Sequence, residues 1–597
     1  MWMLLQSLVR YYEILSEDEE CDIPRQGYGN VKVSFALNLS REGDLLNIIT
    51  LKTLSGNSKK LIAQSMIVPE QVTRSSGVLP NFLCDNSSYV LGFDNKGKPK
   101  RSRECFEAFK KLHIDILESV DNEEAKAVLH FLEKWNVEKA AENKILKDYL
   151  DDIYGGANFI FKLDGKNSYV HQDNKIKKAW EFYRANNTKS VIKTCLVTGE
   201  KSNISRLHPI IKGIQGGQAM GNSLVSFNAR AYESYGNEES QGLNAPVSQY
   251  AAFAYGTVLN KLLEDRQHRL TIGDATVVYW AESSEGVYQD VMSLLFDPSD
   301  LETVDMEKEK YTRDPIALKE VREILEKIFS GKNINVNDET ILDKSTRFFI
   351  LGLSPNAARI SIRFFIQDTF GSLLTNVLRH YQDIHIEKQY ENEFDSISIW
   401  RLLNETVSPS SKDKSASPLL IGSVMRAILE GISYPTELFN TIMIRIRAEK
   451  KIGYYKASII KGYLMRCKNK NKYKEVLGVS LNVNSNNKPY VLGRLFAILE
   501  KAQQDANPLI NTTIKDRYFT SACATPANVF PVLLKLSSHH IAKAEYGYIS
   551  DIRLKEVMDL LNVDDNPFPK QLPLEEQGIF ILGYYHQKNA FFKKEEA

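Results

Sequence analysis

The chain has 597 residues and a mass of 68.0 kDa, with 43% hydrophobic and 25% charged residues. This is the mix of a folded chain of several domains, and it excludes a long disordered protein. Lysine and arginine (76) nearly balance aspartate and glutamate (75), leaving a net charge of +1. Whole-chain charge therefore neither suggests nor excludes nucleic acid, and local charge carries the weight.

Residues 1–15 place apolar side chains at helical spacing. Tyr11, Tyr12 and Glu13 interrupt the run, with no basic n-region or cleavage site, so an amphipathic helix is expected rather than a signal peptide. Segments 31–39 and 45–54 alternate apolar and polar residues around Arg41, Glu42, Gly43 and Asp44, which predicts a hairpin. A third strand is expected at 61–68, then a loop at 69–88 opening on Pro69. Residues 96–103 (KGKPKRSR) form a basic turn, and 104–150 have helical spacing. Strands are expected at 158–163 and 191–198, a helix at 249–264 and a strand at 275–281. The charged stretch 301–314 predicts a surface excursion. Strands at 347–353 and 359–365 follow, and helical patterns dominate after about 371.

The expected fold class is α+β, with mixed N-terminal and central α/β regions and a C-terminal helical bundle. The expected divisions are an N-terminal domain at 1–150, a central domain at 151–406, a linker at 407–418 (VSPSSKDKSASP) and a helical domain at 419–597. Six cysteines, at 21, 84, 105, 195, 467 and 523, form no CxxC pair and no disulfide framework. That argues against a zinc ribbon and fits a reducing cytoplasm. No apolar run reaches membrane-spanning length.

Enzyme-like clusters are weak. His380 and His385 flank Asp383, but a five-residue step sets the two histidines apart around a helix, so capping or packing is expected instead of a metal site. Gly199, Glu200, Lys201 and Ser202 lack the earlier glycine of a phosphate loop. Cys195 and His208 would make a nucleophile pair only if folding brought them together.

Three segments carry binding chemistry. Residues 207–218 combine glycines with Lys212, Gln215 and Gln218, whose backbone N–H groups and side chains suit a phosphate backbone; an ordered connecting loop is the alternative. Around the loop 74–86, Lys59, Lys60 and Arg74 offer charge, and Ser75, Ser76, Asn81 and Asn86 offer hydrogen-bonding groups. A structured turn is the alternative, with Phe82, Leu83 and Cys84 anchoring it. From 445 to 474 there are eleven cations, Arg445, Arg447, Lys450, Lys451 and Lys470 among them, and Glu449 opposes them. Tyr454, Tyr455, Tyr463 and Tyr473 are interleaved, the pattern of a phosphate-tracking face with aromatic platforms; a solvated helical face is the alternative.

The loop extends into RSSGVLPNFLCDNSSYVLG (74–92), which resembles a signature of the large subunit of the type I-C CRISPR Cascade complex. CLVTGE (195–200), LHPIIKG (207–213), LVSFN (224–228), SYG (234–236) and QGLNAPVS (241–248) follow in that family's order. So do ILGLSPNAARISIR (350–363), AILEGISYP (427–435), YVLGRLFAILEKAQQDAN (490–507), TIKDRYFTSACATPANVFPVLLKL (513–536) and QGIFILGYYHQ (577–587). The matches run nearly the full length, with 301–314 as a variable insert.

The resemblance implies a cytoplasmic, non-enzymatic subunit of a ribonucleoprotein carrying CRISPR RNA, with no cofactor, no metal and no catalytic residue. It implies that the N-terminal part contacts the protospacer-adjacent motif in target double-stranded DNA and helps open it. The guide then pairs with one strand, and the helical C-terminal part lies along the displaced one. The implied partners are the backbone and CRISPR-RNA-processing subunits of Cascade, a helicase–nuclease, and a small subunit translated from within the same gene. Such an internal product would begin near 479, where Met465 is the nearest upstream methionine and Val476 or Val479 would need a non-methionine start codon. A metal-dependent nuclease and a purely architectural subunit are the rival readings.

Overall fold

The computed structural model describes residues 2–18, 21–54, 61–72, 74, 77–94, 98–187, 191–227, 229–233, 241–266, 268–298, 319, 323, 342–393, 397–412, 415–561 and 566–592. The chain divides into two compact units: Met1–Pro209 with Ser226–Val258, and Ile210–Val225 with Leu259–Ala597. The architecture is α+β. Both units contain sheets, and among the described residues no strand follows residue 369.

In the first unit each long alternating segment is broken once. The first divides at Ser34 into β1 (Tyr28–Val33) and β2 (Phe35–Leu39), and the second at Leu51 into β3 (Leu45–Thr50) and β4 (Lys52–Leu54). The two breaks are tied together, since the Leu51 N–H donates to the Ser34 carbonyl at 2.9 Å. β2 and β3 keep the expected hairpin. They join β6 (Asp85–Asn86) and β7 (Asn158–Leu163) in a four-stranded sheet of order β3-β2-β7-β6, with β2 parallel to β7. β1 and β4 instead flank β5 (Leu61–Pro69).

Every residue of β2 is buried. Phe35, Leu37 and Leu39 meet Phe106 and Phe109 of the helix Pro99–Leu117 and Phe131 of the helix Glu123–Lys134. Ala36 points to a second core with Val33, Val68, Cys84 and Ile160. The second of these helices starts where Asn122 accepts hydrogen bonds from the Glu124 and Ala125 N–H groups, with acids in its first turn and Lys134 in its last.

The strand expected at 191–198 is shorter. Only Ile192–Thr194 (β8) is extended, paired with Lys201–Asn203 (β9). The chain turns at Cys195 because its Sγ accepts from the N–H groups of Val197 and Thr198 at 3.4 and 3.5 Å, and from Ser248 at 3.2 Å. A local acceptor of this kind offers the backbone an alternative to the ladder.

The second unit is built on a six-stranded sheet. Its order is β10 (Ile210–Ile211), β11 (Asn222–Ser223), β15 (Arg359–Thr369), β14 (Arg347–Asn356), β13 (Ala275–Ala281) and β12 (Arg269–Ile272). Tyr279, Phe348, Ile350 and Ile366 share a core with the helices Val287–Phe296, Phe370–Ile384 and Pro418–Leu429. That core continues without a gap to Tyr585. Sheet and C-terminal helices therefore fall in one unit, and residues 151–406 contribute to both units. The stretch 301–314 lies outside the described residues.

The helix Lys488–Ala506 is the hub of the C-terminal bundle, packed by Pro526–Lys543, Gly547–Asp559 and Leu574–Ala590. It crosses the last of these at Gly493 and Gly583. A Cβ on Gly493 would overlap the Phe580 carbonyl oxygen, and one on Gly583 would overlap that of Tyr490.

Candidate nucleic-acid interface

The loop after β5 is fixed from inside by one carboxylate. Asp85 is 1% exposed. Its Oδ1 accepts from Arg74 Nη1 at 2.9 Å and from the Asn86 N–H at 2.8 Å. Its Oδ2 accepts from Arg74 Nη2 and, at 2.8 Å, from the Asn81 N–H. Burial raises the Asp85 pKa, against the lowering pull of Arg74 and of the two N–H groups. Arg74 also donates from Nε to the Leu79 carbonyl at 2.7 Å and lies over the Tyr89 ring at 4.0 Å.

The apolar side of the loop is equally committed. Phe82 stacks on Trp180 with centroids 5.1 Å apart. Leu83 has a left-handed backbone, φ 54°, and its N–H donates to His113 Nε2 at 2.9 Å. That acceptor role places the imidazole proton on Nδ1, 2.7 Å from the Phe109 carbonyl. Burial lowers the His113 pKa to about 4 despite that bond, so the ring is neutral at pH 7. Phe82, Leu83 and Cys84 anchor the loop, each 0% exposed.

Asn81 is committed inside the loop. It is 4% exposed, its Oδ1 accepts from the Val72 N–H at 2.8 Å, and its Nδ2 donates to Gln71 Oε1 at 2.6 Å. Both ends of the amide are bonded within the loop, and the side chain holds the loop together. Asn86 likewise caps the short helix Ser87–Val90 through the Ser88 N–H. Lys59, Lys60, Ser75 and Ser76 lie outside the described residues.

The fold adds residues that the loop sequence alone did not indicate. The basic segment expected as a turn over 96–103 is helical from Pro99, the first residue of the helix Pro99–Leu117, and this brings Lys98 and Arg101 beside the loop. Arg101 Nη2 donates to the Gly77 carbonyl at 2.9 Å. A cleft of about 210 Å³ lies here, lined by Arg74, Gly77, Asn86, Asp94, Lys98 and Arg101 among others. Lys98, Arg101 and Gly77 are exposed. The signal was present as KGKPKRSR with its N1 proline, but nothing local ties that turn to a loop twenty residues earlier. A larger cleft of about 330 Å³, at the start of the helix Phe370–Ile384, holds no residue singled out for binding.

Three backbone N–H groups of the central loop are taken up by side chains of neighbouring elements. The N–H of Lys212 donates to Asn260 Oδ1 at 2.8 Å, that of Gln215 to Thr276 Oγ1 at 3.0 Å, and that of Gln218 to Asn222 Oδ1 at 3.1 Å. These groups were expected to meet phosphate; the exposed residues Lys212, Gln215 and Gln218 retain only their side chains for that purpose. Cys195 is held by backbone donors, and His208 Nδ1 lies 2.7 Å from the Tyr255 hydroxyl.

The basic run at 445–474 is not one face. Lys456, Lys461 and Arg466 are buried. Lys456 pairs with Glu449, Lys461 donates to the His385 carbonyl at 2.5 Å, and Arg466 Nε meets Asp383 at 2.6 Å. Arg445 pairs with Glu449, Arg447 donates to Gln577 Oε1 at 2.7 Å, and Lys450 to Thr520 Oγ1 at 2.5 Å. Lys451, Lys468, Lys470 and Lys474 remain exposed. The interleaved tyrosines pack inward: Tyr454 and Tyr473 are buried, and Tyr463 stacks on Phe439 at 4.3 Å. Tyr454 is a core residue and Tyr463 packs, partly buried, against that core, because the helices Thr436–Glu449 and Tyr454–Arg466 bury the faces that pack together. His380 packs with its Nδ1 2.5 Å from the Tyr434 hydroxyl, and His385 ends its helix.

Comparison with known families decides the identity. The family described as CRISPR-associated protein (Cas_Csd1) matches residues 8–592. The chain belongs to this family. No curated protein matches it. The Cas_Csd1 match takes in the anchored loop, the basic helix start and the C-terminal bundle alike. Among the described residues of this Cas_Csd1 chain, no helix is long and apolar enough to cross a membrane.

Proposed function

We propose that the chain is the large subunit of a type I-C Cascade ribonucleoprotein and that its loop 74–86 reads the protospacer-adjacent motif in foreign duplex DNA. One observation carries this reading: a loop internally locked through Asp85 lies against two exposed cations, Lys98 and Arg101, at a helix start. The lock through Asp85 ties Arg74, Leu79 and Asn81 together, and the adjacent cations supply sequence-independent attraction to phosphate. Asp85, Asn81 and Arg74 then act as positioning residues. Ser75, Ser76, Lys59 and Lys60 are the proposed reading groups on the strength of sequence and resemblance.

Motif binding opens the duplex locally, the guide RNA pairs with the target strand to form an R-loop, and a helicase–nuclease is recruited. The chain itself supplies binding and no catalysis. Its partners are the CRISPR RNA, the other Cascade subunits and a small subunit from the same gene.

The test is binding of the assembled complex to motif-bearing and motif-scrambled duplexes. Combined Ser75→Ala and Ser76→Ala should lower discrimination. Lys98→Ala and Arg101→Ala should instead weaken both duplexes, each reducing the salt slope by about 1 if its cation neutralises one phosphate. Unchanged discrimination after replacement of the whole loop would make the subunit architectural. Metal-dependent cleavage of DNA by the purified chain, abolished by a carboxylate substitution, would overturn the non-catalytic reading.

A further inference from the structure

One peptide unit inside the loop 74–86 is held at both ends. Its carbonyl, that of Phe82, accepts from the Cys84 N–H at 2.8 Å, and its N–H, that of Leu83, donates to His113 Nε2 at 2.9 Å. A bond from residue 84 back to residue 82 across the positive φ of Leu83 closes a γ-turn of the strained kind. Leucine has no intrinsic preference for that left-handed backbone, so its surroundings must impose it.

The turn sits between the two halves of the lock. Asn81 precedes it and Asp85 follows it, and the Asn81 N–H reaches the Asp85 carboxylate at 2.8 Å. Other groups fix the flanks of the turn. Phe82 stacks on Trp180, whose Nε1 donates to the Gly27 carbonyl at 2.9 Å. The Cys84 carbonyl accepts from Gln71 Nε2 at 3.0 Å. Phe82 and Leu83 belong to one core and Cys84 to another, so the central peptide sets the direction in which the chain leaves the first for the second. That peptide is tied to the helix Pro99–Leu117 through His113.

The ring of His113 is oriented for this contact. It follows Phe109 by one helical turn on the same stripe, and it packs against Phe82 and Phe109 with centroids 5.1 and 4.0 Å away. The bond between Nδ1 and the Phe109 carbonyl leaves the lone pair of Nε2 facing Leu83. A ring without that nitrogen offers no acceptor and leaves the Leu83 N–H buried and unpaired. We infer that His113 is a positioning residue for the loop 74–86: through the Leu83 N–H it holds the strained turn, and with it the register of Asn81 on Asp85. The inference rests on the reading role proposed for that loop and deepens it with a residue thirty positions away on a helix.

The experiment combines amide hydrogen exchange on the full-length chain with motif discrimination by the assembled complex. His113→Phe keeps a ring and removes the acceptor. His113→Gln removes the ring and keeps an acceptor, because its Oε1 reaches as far from the backbone as Nε2 does. In His113→Phe the amides of residues 82–86 should exchange about tenfold faster, the equilibrium worth of one buried hydrogen bond, while those of β2 keep their protection. Motif discrimination should fall in the same variant, and His113→Gln should retain both properties. Unchanged loop exchange in His113→Phe overturns the inference. So does an equal loss in both variants, which would assign the effect to ring packing, or a loss of β2 protection alongside the loop, which would make His113 a core residue only. Faster loop exchange with unchanged discrimination would uphold the positioning of the loop and overturn its reading role instead.

Discussion

Arg74 grips Asp85 with both arms of its guanidinium across eleven residues of one loop. The carboxylate is buried and the arginine side chain is 24% exposed. Arg74→Ala leaves Asp85 buried and unpaired, so the N-terminal unit should be destabilised by about 3 kcal/mol, the low end for a broken buried pair. Arg74→Lys should recover little, because an ammonium cannot supply the two parallel bonds. Denaturant unfolding checks both. An Arg74→Ala protein of unchanged midpoint would show that the pair does not hold the loop.

Asn81 separates a positioning role from a reading role. Asn81→Ala removes bonds to Val72 and Gln71 and should cost about 1–3 kcal/mol. Motif affinity and stability should fall together. A fall in motif affinity with an unchanged unfolding midpoint would restore Asn81 as a direct base contact.

The crossing of Gly493 and Gly583 makes an opposite-sign prediction to helix propensity. Glycine to alanine in a helix interior normally stabilises by up to about 1 kcal/mol. Here an added Cβ meets the backbone of the facing helix, so either substitution should destabilise by about 1–3 kcal/mol or more. Thermal unfolding of the full chain decides it, and a raised Tm in either variant would show that the helices separate freely.

His268 lies between two carboxylates, Nδ1 2.7 Å from Asp265 and Nε2 2.6 Å from Asp290. Burial lowers its pKa, but the hydrogen bonds and charges of both acids outweigh that and raise it to about 9. A raised histidine contributes stability that is complete below its unfolded value of about 6.5 and disappears as pH rises through about 9. The contribution should be roughly 2 kcal/mol, discounted because Asp265 is 41% exposed. His268→Gln should remove this decline between about pH 6.5 and 9, as read from unfolding free energy against pH.

Lys461 and Lys470 lie in one basic run and should behave differently. Lys461 is 3% exposed and bonded to the His385 carbonyl, and burial lowers its pKa to about 8. Lys461→Ala should cost about 1–3 kcal/mol of stability by removing this buried hydrogen bond. Lys470→Ala, at an exposed site, should leave the unfolding free energy within about 0.5 kcal/mol of the parent and reduce only the salt dependence of DNA binding. Equal effects on stability would mean that Lys461 is not structural.

The helices Gln249–Glu264 and Trp2–Glu17, the strands Ala275–Ala281 and Asn158–Leu163, and the β2–β3 hairpin were legible in the sequence. Each rests on periodicity or turn chemistry within a few residues. The family was legible too, because its motifs are long and ordered along the chain. What tertiary structure alone decided is where each polar side chain spends its bonds. Asn81 is held by Gln71 and Val72, Lys461 by a carbonyl 76 residues away, and Arg101 by the Gly77 carbonyl. The loop 74–86 was recognisable by itself, yet its lock on Asp85 and its meeting with Lys98 and Arg101 came from folding. A hydrogen bond forms between groups that are close in space, and local sequence specifies a side chain's chemistry without specifying its neighbours.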